Sequence, residues 1–192
     1  NLVDGLRGHT PRLVIFVSST RVFAETEGRW ITESSARTKI DPLGQAIVKA
    51  EEVLRGAGLN VVALYCSGLY GGNSQDYVIR RLKQWGLSSK KDGRFTNRIH
   101  REDVAGFLVW LIRLNLEQQR VAKSYIVSDS SPATRPEVED WLAEQLKITP
   151  ELQRKDEEDL GIRMSNKRCD NSLMLGSGYM LKFPDYKAGY SH

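Results

Sequence analysis

Residues 13–23 read LVIFVSSTRVF, an unbroken apolar run that ends in two serines and a threonine. Such a run is the pattern of a strand buried on both faces, as in the middle of a parallel sheet. Doubly wound α/β proteins bind their ligands outside the carboxyl ends of such strands. The run therefore predicts an α/β fold with the hydroxyls of Ser18, Ser19 and Thr20 at a binding edge. Strands are expected over 13–17, 60–65 and 124–127, each rich in Val, Ile or aromatic residues and closed by polar or Gly residues.

Helical patterns lie between these runs. Asp41 followed by Pro42 reads as an N-cap and a first-turn proline. Leu43, Ala46, Ile47, Ala50, Val53 and Leu54 then predict one apolar face, and Gly56 and Gly58 a stop. A second helix is expected over 100–114, apolar around most of its circumference and so buried on several sides. Thr134 and Glu137 have the spacing of a capping box, with Val138, Trp141, Leu142 and Leu146 turned to the core. Strands alternating with helices imply a parallel sheet with right-handed crossovers. The segment 67–97, with Gly68, Gly71, Gly72 and Gly93, reads as mostly irregular, the place for substrate loops and lids. Gly71-Gly72 is no phosphate loop, lacking both the GxGxxG spacing and a P-loop lysine.

The 192 residues are expected to form a single domain. Leu2, Val3, Leu6 and Gly8 read as the end of a helix whose beginning is missing, so the chain is expected to be the later part of a longer protein. A net charge of +4 with interspersed signs, as in 154–159, argues against nucleic-acid binding. No apolar stretch approaches the roughly 20 residues of a membrane span, so no membrane association is expected. Cys66 and Cys169 have no metal-ligand or CxxC spacing, which points to a reducing, cytoplasmic setting and to no metal site.

Four stretches in order carry a family resemblance: VSSTRVF at 17–23, SGLYGG at 67–72, RIHREDVAGFL at 98–108, and SNKR at 165–168 followed by GYMLKFPDYKAGY at 178–190. Together they resemble the later two-thirds of extended short-chain dehydrogenases/reductases of the NAD-dependent epimerase/dehydratase branch, in an atypical form. The resemblance implies the C-terminal part of a Rossmann-type doubly wound domain with a small substrate-side lobe. It also implies NAD or NADP as cofactor of the full-length protein, which this chain alone is not expected to bind. The phosphate-binding glycine turn of that family lies in its first βα unit, upstream of the matched region.

The family's catalytic Tyr-x-x-x-Lys pair falls, by register with Ala50-Glu51-Glu52, on Leu43 and Ile47, neither of which moves a proton. Ser19 then aligns with the hydroxyl that orients the substrate, with Ser18 and Thr20 in support; the alternative is that these hydroxyls satisfy backbone groups at a strand end. Ser18, Cys66, Ser67 and Gly68 are implied to line the cofactor, although a Cys after a strand is also a common apolar filler. Tyr65 stands where many relatives carry an arginine. Thr20, Tyr70, Asn97 and Arg98 are implied to face the substrate, with Asn97 and Arg98 suited to an anionic or hydroxylated molecule. Tyr70 is a substitute acid if its loop folds over the site, and Tyr77 and Trp85 are lid packing. His100 is either a second proton-transfer group near neutral pH or, with Asp103, the cap of the helix that starts there. The expected activity is NAD(P)-dependent oxidoreductase, isomerase or dehydratase chemistry on a small hydroxylated or carbonyl metabolite. The alternative is a non-catalytic dinucleotide-binding or regulatory protein that kept the scaffold. Association with a second copy, or with the missing N-terminal half, is a further expectation.

Overall fold

The first apolar run forms strand β1 (Val14–Ser19) in the computed structural model, which describes residues 5, 11–71, 77–87, 93–147 and 165–192. β1 pairs in parallel with β3 (Val61–Cys66), and β3 with β7 (Ser124–Val127), giving the order β1-β3-β7. All six residues of β3 are buried, as its unbroken apolar sequence requires of a central strand. A two-residue strand β2 (Trp30–Ile31) lies apart from this sheet and pairs with β9 (Arg168–Cys169). Further short pairs join β4 (Gly68–Tyr70) to β6 (Arg98–His100) and β5 (Phe95–Thr96) to β8 (Ala133–Thr134).

Both faces of the main sheet are covered, which makes it doubly wound. On one face Val62, Leu64, Cys66, Tyr125 and Val127 pack against Phe107 and Leu111 of helix α3 (Arg101–Leu116). On the other, Ala63, Tyr65 and Ile126 pack with Ile47 and Val48 of helix α1 (Pro42–Gly56). Helix α4 (Arg135–Gln145) packs on α2 (Tyr77–Trp85) and on Tyr186 in a third cluster, the small lobe. Two short C-terminal helices, α5 (Ser172–Gly176) and α6 (Tyr186–Tyr190), deliver Met174 and Tyr186 to these cores.

The helix caps follow their sequence signals. Asp41 Oδ1 accepts from Leu43 N at 3.2 Å, and Glu137 Oε2 accepts from Thr134 N at 2.7 Å. Several expected faces need correction. The buried side of α1 is Gly44, Ile47, Val48, Glu51 and Leu54, whereas Leu43 and Val53 stay exposed. The face is rotated because Glu51, polar by type, is held inside by the Tyr65 hydroxyl, which donates to its carboxylate at 3.0 Å. α3 is buried along one stripe only; Val109, Ile112 and Leu116 lie exposed. Leu146 is not a core residue but the exposed C-cap of α4. The segment 67–97 is more regular than expected, since β4, α2 and β5 lie in it; Val78, Ile79 and Leu82 at helical spacing pack α2 onto α4. Leu2, Val3, Leu6, Gly8, Gly72, the 154–159 run and the Trp85 side chain lie outside the described residues. Among the described residues, no helix is long and apolar enough to cross a membrane, and no group of three His, Cys, Asp or Glu could hold a metal.

Candidate active site

At the carboxyl ends of β1 and β3 opens a cavity of about 580 Å³, lined by Ser19, Thr20, Ser67, Gly68, Asn97 and Lys167 among others. Its wall forms because β1 ends on a short 3-10 turn, Thr20–Val22, capped by Ser19. Ser19 Oγ accepts from Arg21 N at 3.2 Å; the hydroxyl proton takes no part in that bond and remains available as a donor. Arg21 pairs in turn with Asp41 at the rim, and that ion pair holds the Asp41 carboxyl below its usual range. Gly44 lets α1 approach this turn: a Cβ there would sit 2.6 Å from Thr38 Cγ2 and 2.7 Å from the Arg21 carbonyl oxygen.

Lys167 is the cavity residue whose role the sequence reading passed over, although its SNKR stretch stood out there. Its side chain is buried, and Nζ donates to the Phe23 carbonyl at 2.9 Å and the Thr20 carbonyl at 3.3 Å. Burial lowers its pKa, while Cys169 and the carboxylates of Glu25 and Asp41 act the other way. Asn97 fixes the segment that carries Lys167. The Asn97 amide donates to the Lys167 carbonyl at 2.8 Å and accepts from Cys169 N at 2.9 Å.

The other candidates divide between the cavity and its surroundings. Ser67 lines the cavity, its hydroxyl donating to the Val127 carbonyl at 3.3 Å. Ser18 is on the opposite face of β1, buried, with Oγ lacking a hydrogen-bond partner. Cys66 is not in the cavity wall; it sits in the α3-side core, where burial pushes the thiol up to about 12. Leu43 is outside the wall too, and Ile47 is packed in the α1-side core. Tyr65 points to α1, and its ring and that of Phe23 carry the guanidinium of Arg37 at 4.3 and 4.6 Å.

His100 lies beneath the loop rather than in the larger cavity. Its Nδ1 accepts from Glu102 N at 3.3 Å as the N-cap of α3, its ring packs against Phe183 and Tyr70, and burial lowers its pKa. The ring leaves no room at Gly71, where a Cβ would come within 2.0 Å of Nε2 and where φ is +99°. Asp103 anchors the C-terminal segment, accepting from Lys182 N at 2.7 Å, Phe183 N at 3.0 Å and the Tyr179 hydroxyl at 3.1 Å. Tyr70 donates to the Asp185 carbonyl at 3.2 Å. Tyr70, Tyr77, Asn97 and Arg98 line a second cavity of about 190 Å³ that shares Gly68, Thr96, Asn97 and Arg135 with the first.

Hydroxyls at the ends of parallel strands, a crossover helix on each face and a small lobe closing the edge define a Rossmann-like α/β protein. The chain is related to the extended short-chain dehydrogenases/reductases of the NAD-dependent epimerase/dehydratase family. A Methylobacillus flagellatus protein assigned to that family is 31% identical, with a TM-score of 0.80 over 98% of this chain and 66% of its own. A conserved protein of unknown function from Silicibacter pomeroyi is 25% identical, with a TM-score of 0.81 over 99% of this chain and 69% of its own. The fold alone is shared with the human epimerase family protein SDR39U1, solved with NADPH: 17% identity and a TM-score of 0.78 over 93% of this chain and 64% of that one. The chain thus spans about two-thirds of the length of these relatives. No protein-family model matches it, and no curated protein matches it significantly.

Proposed function

We propose that this chain forms the substrate-side part of a nicotinamide dinucleotide-dependent enzyme that acts on a small hydroxylated or carbonyl metabolite by oxidoreductase, isomerase or dehydratase chemistry. The observation that carries this is the cavity at the ends of β1 and β3, whose lining includes Ser19, with a hydroxyl proton available to donate, and the buried Lys167. The fit to the cofactor is partial. Ser67 and Gly68 in the cavity wall suit the nicotinamide end, whereas Ser18, buried on the opposite face of β1, does not line the cavity. Gly68 is the glycine of the cavity wall and does not have positive φ, so among the described residues this edge holds no glycine cradle for a pyrophosphate. The bound cofactor supplies hydride transfer. Ser19 orients the substrate oxygen, and Lys167 stabilises negative charge on it or holds its proton. His100 is assigned to capping.

A scaffold that binds the dinucleotide without chemistry is the second reading, and Leu43 and Ile47 favour it. One experiment separates the two. Ser19→Ala in a protein carrying both halves should lower nicotinamide-dependent turnover roughly 10- to 100-fold, equivalent to about 1.4–2.7 kcal/mol of transition-state stabilisation. Leu43→Ala should leave the chemical step intact. Turnover unchanged by Ser19→Ala would remove the proposed site, and failure to find any nicotinamide-dependent turnover would favour the scaffold.

A further inference from the structure

Arg21 brings to the larger cavity a group whose use Ser19 and Lys167 do not account for. It lines that cavity from the turn after β1, and its side chain is 27% exposed, neither buried nor free on the surface. Two bonds fix it. Its backbone N–H donates to Ser19 Oγ at 3.2 Å, and its Nε donates to Asp41 Oδ2. Asp41 is itself held, because its Oδ1 accepts from Leu43 N at 3.2 Å as the cap of α1.

These bonds use one nitrogen of the guanidinium. Among the described residues Nη1 and Nη2 have no hydrogen-bond partner, and neither is buried, so both reach open space. Asp41 cannot turn to serve them, since one of its oxygens holds Nε and the other caps the helix. The end of a guanidinium is a planar fork of parallel N–H groups that matches the two oxygens of a carboxylate. A fork already fixed at Nε has less freedom to lose on binding, so more of the contact appears as affinity.

We infer that Arg21 is a specificity residue of this cavity and that its free fork takes the carboxylate of a small hydroxy or keto acid. The charges around it select a carboxylate over a phosphate. Asp41 and Glu25 line the same cavity. The Arg21 guanidinium holds the Asp41 carboxyl below its usual range, and the backbone N–H of Glu27 does the same for Glu25, so both are ionised near neutral pH. A doubly charged phosphate would meet both of them, whereas a carboxylate brings one charge to one fork. Ser19 and Arg21 are two residues apart on one turn, so one small molecule can reach both. Placing its hydroxyl or carbonyl oxygen at Ser19 rests on the function proposed above; the contact with Arg21 does not.

The test is a ligand-observed NMR titration of the chain with lactate and with pyruvate, against methyl lactate and inorganic phosphate at equal ionic strength. At least one of the two acids should bind saturably, and at least about 10-fold more tightly than the ester or phosphate. Arg21→Gln should weaken that acid roughly 10- to 100-fold, the loss expected of charge-assisted hydrogen bonds. Arg21→Lys should not restore it, because a point charge lacks the fork. Arg113→Gln, an exposed change on α3, should leave it unaltered. In case Arg21→Gln does not fold, the same acid should slow phenylglyoxal modification of Arg21 in the unaltered chain, read by mass spectrometry, and methyl lactate should not. Absence of saturable binding by either acid, phosphate or ester binding as tightly, undiminished affinity in Arg21→Gln, or no protection of Arg21 would overturn the assignment. None of these results depends on turnover, so acid binding in a catalytically silent protein would strike the enzymatic reading alone.

Discussion

Asp103 ties the C-terminal segment to the rest of the molecule, and its replacement gives the sharpest stability prediction. The carboxylate is 1% exposed and accepts two backbone N–H bonds, from Lys182 at 2.7 Å and Phe183 at 3.0 Å, besides the Tyr179 hydroxyl. It also stands in the first turn of α3, where the helix dipole favours a negative charge. Hydrogen bonds to a charged acceptor contribute about 1.5–3 kcal/mol each, and a buried donor left open costs about 1–3 kcal/mol. Asp103→Asn keeps one acceptor oxygen but turns an NH2 toward one of the two backbone donors, for an expected loss of about 2–4 kcal/mol. Asp103→Ala opens both donors and should cost about 3–6 kcal/mol.

The assay is urea denaturation followed by tryptophan fluorescence. Trp110 is a local reporter, since its indole N–H donates to the Ser177 carbonyl at 3.2 Å, just before the anchored segment. With a denaturant slope of about 2 kcal/mol/M, the Asn variant should lower the midpoint by about 1–2 M. If both variants stay within about 1 kcal/mol of the unaltered chain, the two backbone donors do not depend on Asp103 and the anchor is misread.

Two further outcomes follow from buried groups. Asp129 has its carboxyl raised to about 7 from an ordinary 3.8, so the folded state loses stability as pH rises from about 4 to 7 and levels off above that. Asp129→Asn should therefore stabilise the chain by up to about 4 kcal/mol above pH 7, at about 1.4 kcal/mol per pKa unit. A gain that is the same at pH 5 and pH 8 would refute the buried-carboxyl account. Gly44→Ala sets the gain in helix propensity, up to about 1 kcal/mol, against overpacking of about 1–3 kcal/mol on the Arg21 carbonyl and Thr38. Thermal unfolding should show a net loss, and an unchanged or raised melting temperature would refute the close contact.

The main strands were legible because burial on both faces leaves an unbroken apolar run, as β3 shows with all six residues inside. The caps at Asp41 and Thr134 were legible because their chemistry is local. The face of α1 was not, since it depends on Glu51 meeting Tyr65 from the central strand. Helix α2 was hidden by the glycines around it. The short pairs β2–β9 and β5–β8 join segments far apart in sequence, and two residues carry no alternation to read. Lys167 was missed for the same reason: what makes it a site residue is the contact of its ammonium with carbonyls at the end of β1.

That contact bears on where a proton-transfer group can be. In the resembling enzymes a Tyr and a Lys reach the strand edge from the helix after β1; here Leu43 is exposed outside the cavity and Ile47 is packed in the core. Helix α1 therefore supplies no ionisable group at those two positions. The hydroxyl of Ser19 survives on β1, and the cation arrives from Lys167 just before β9, in a segment clamped by Asn97. Two carbonyl acceptors favour the charged ammonium of Lys167 while burial opposes it, and burial is the larger effect. A lysine held with its pKa below the usual value gives up its proton more readily near neutral pH than a solvated one. If chemistry occurs in this cavity, it runs between the end of β1 and the start of β9 rather than along α1.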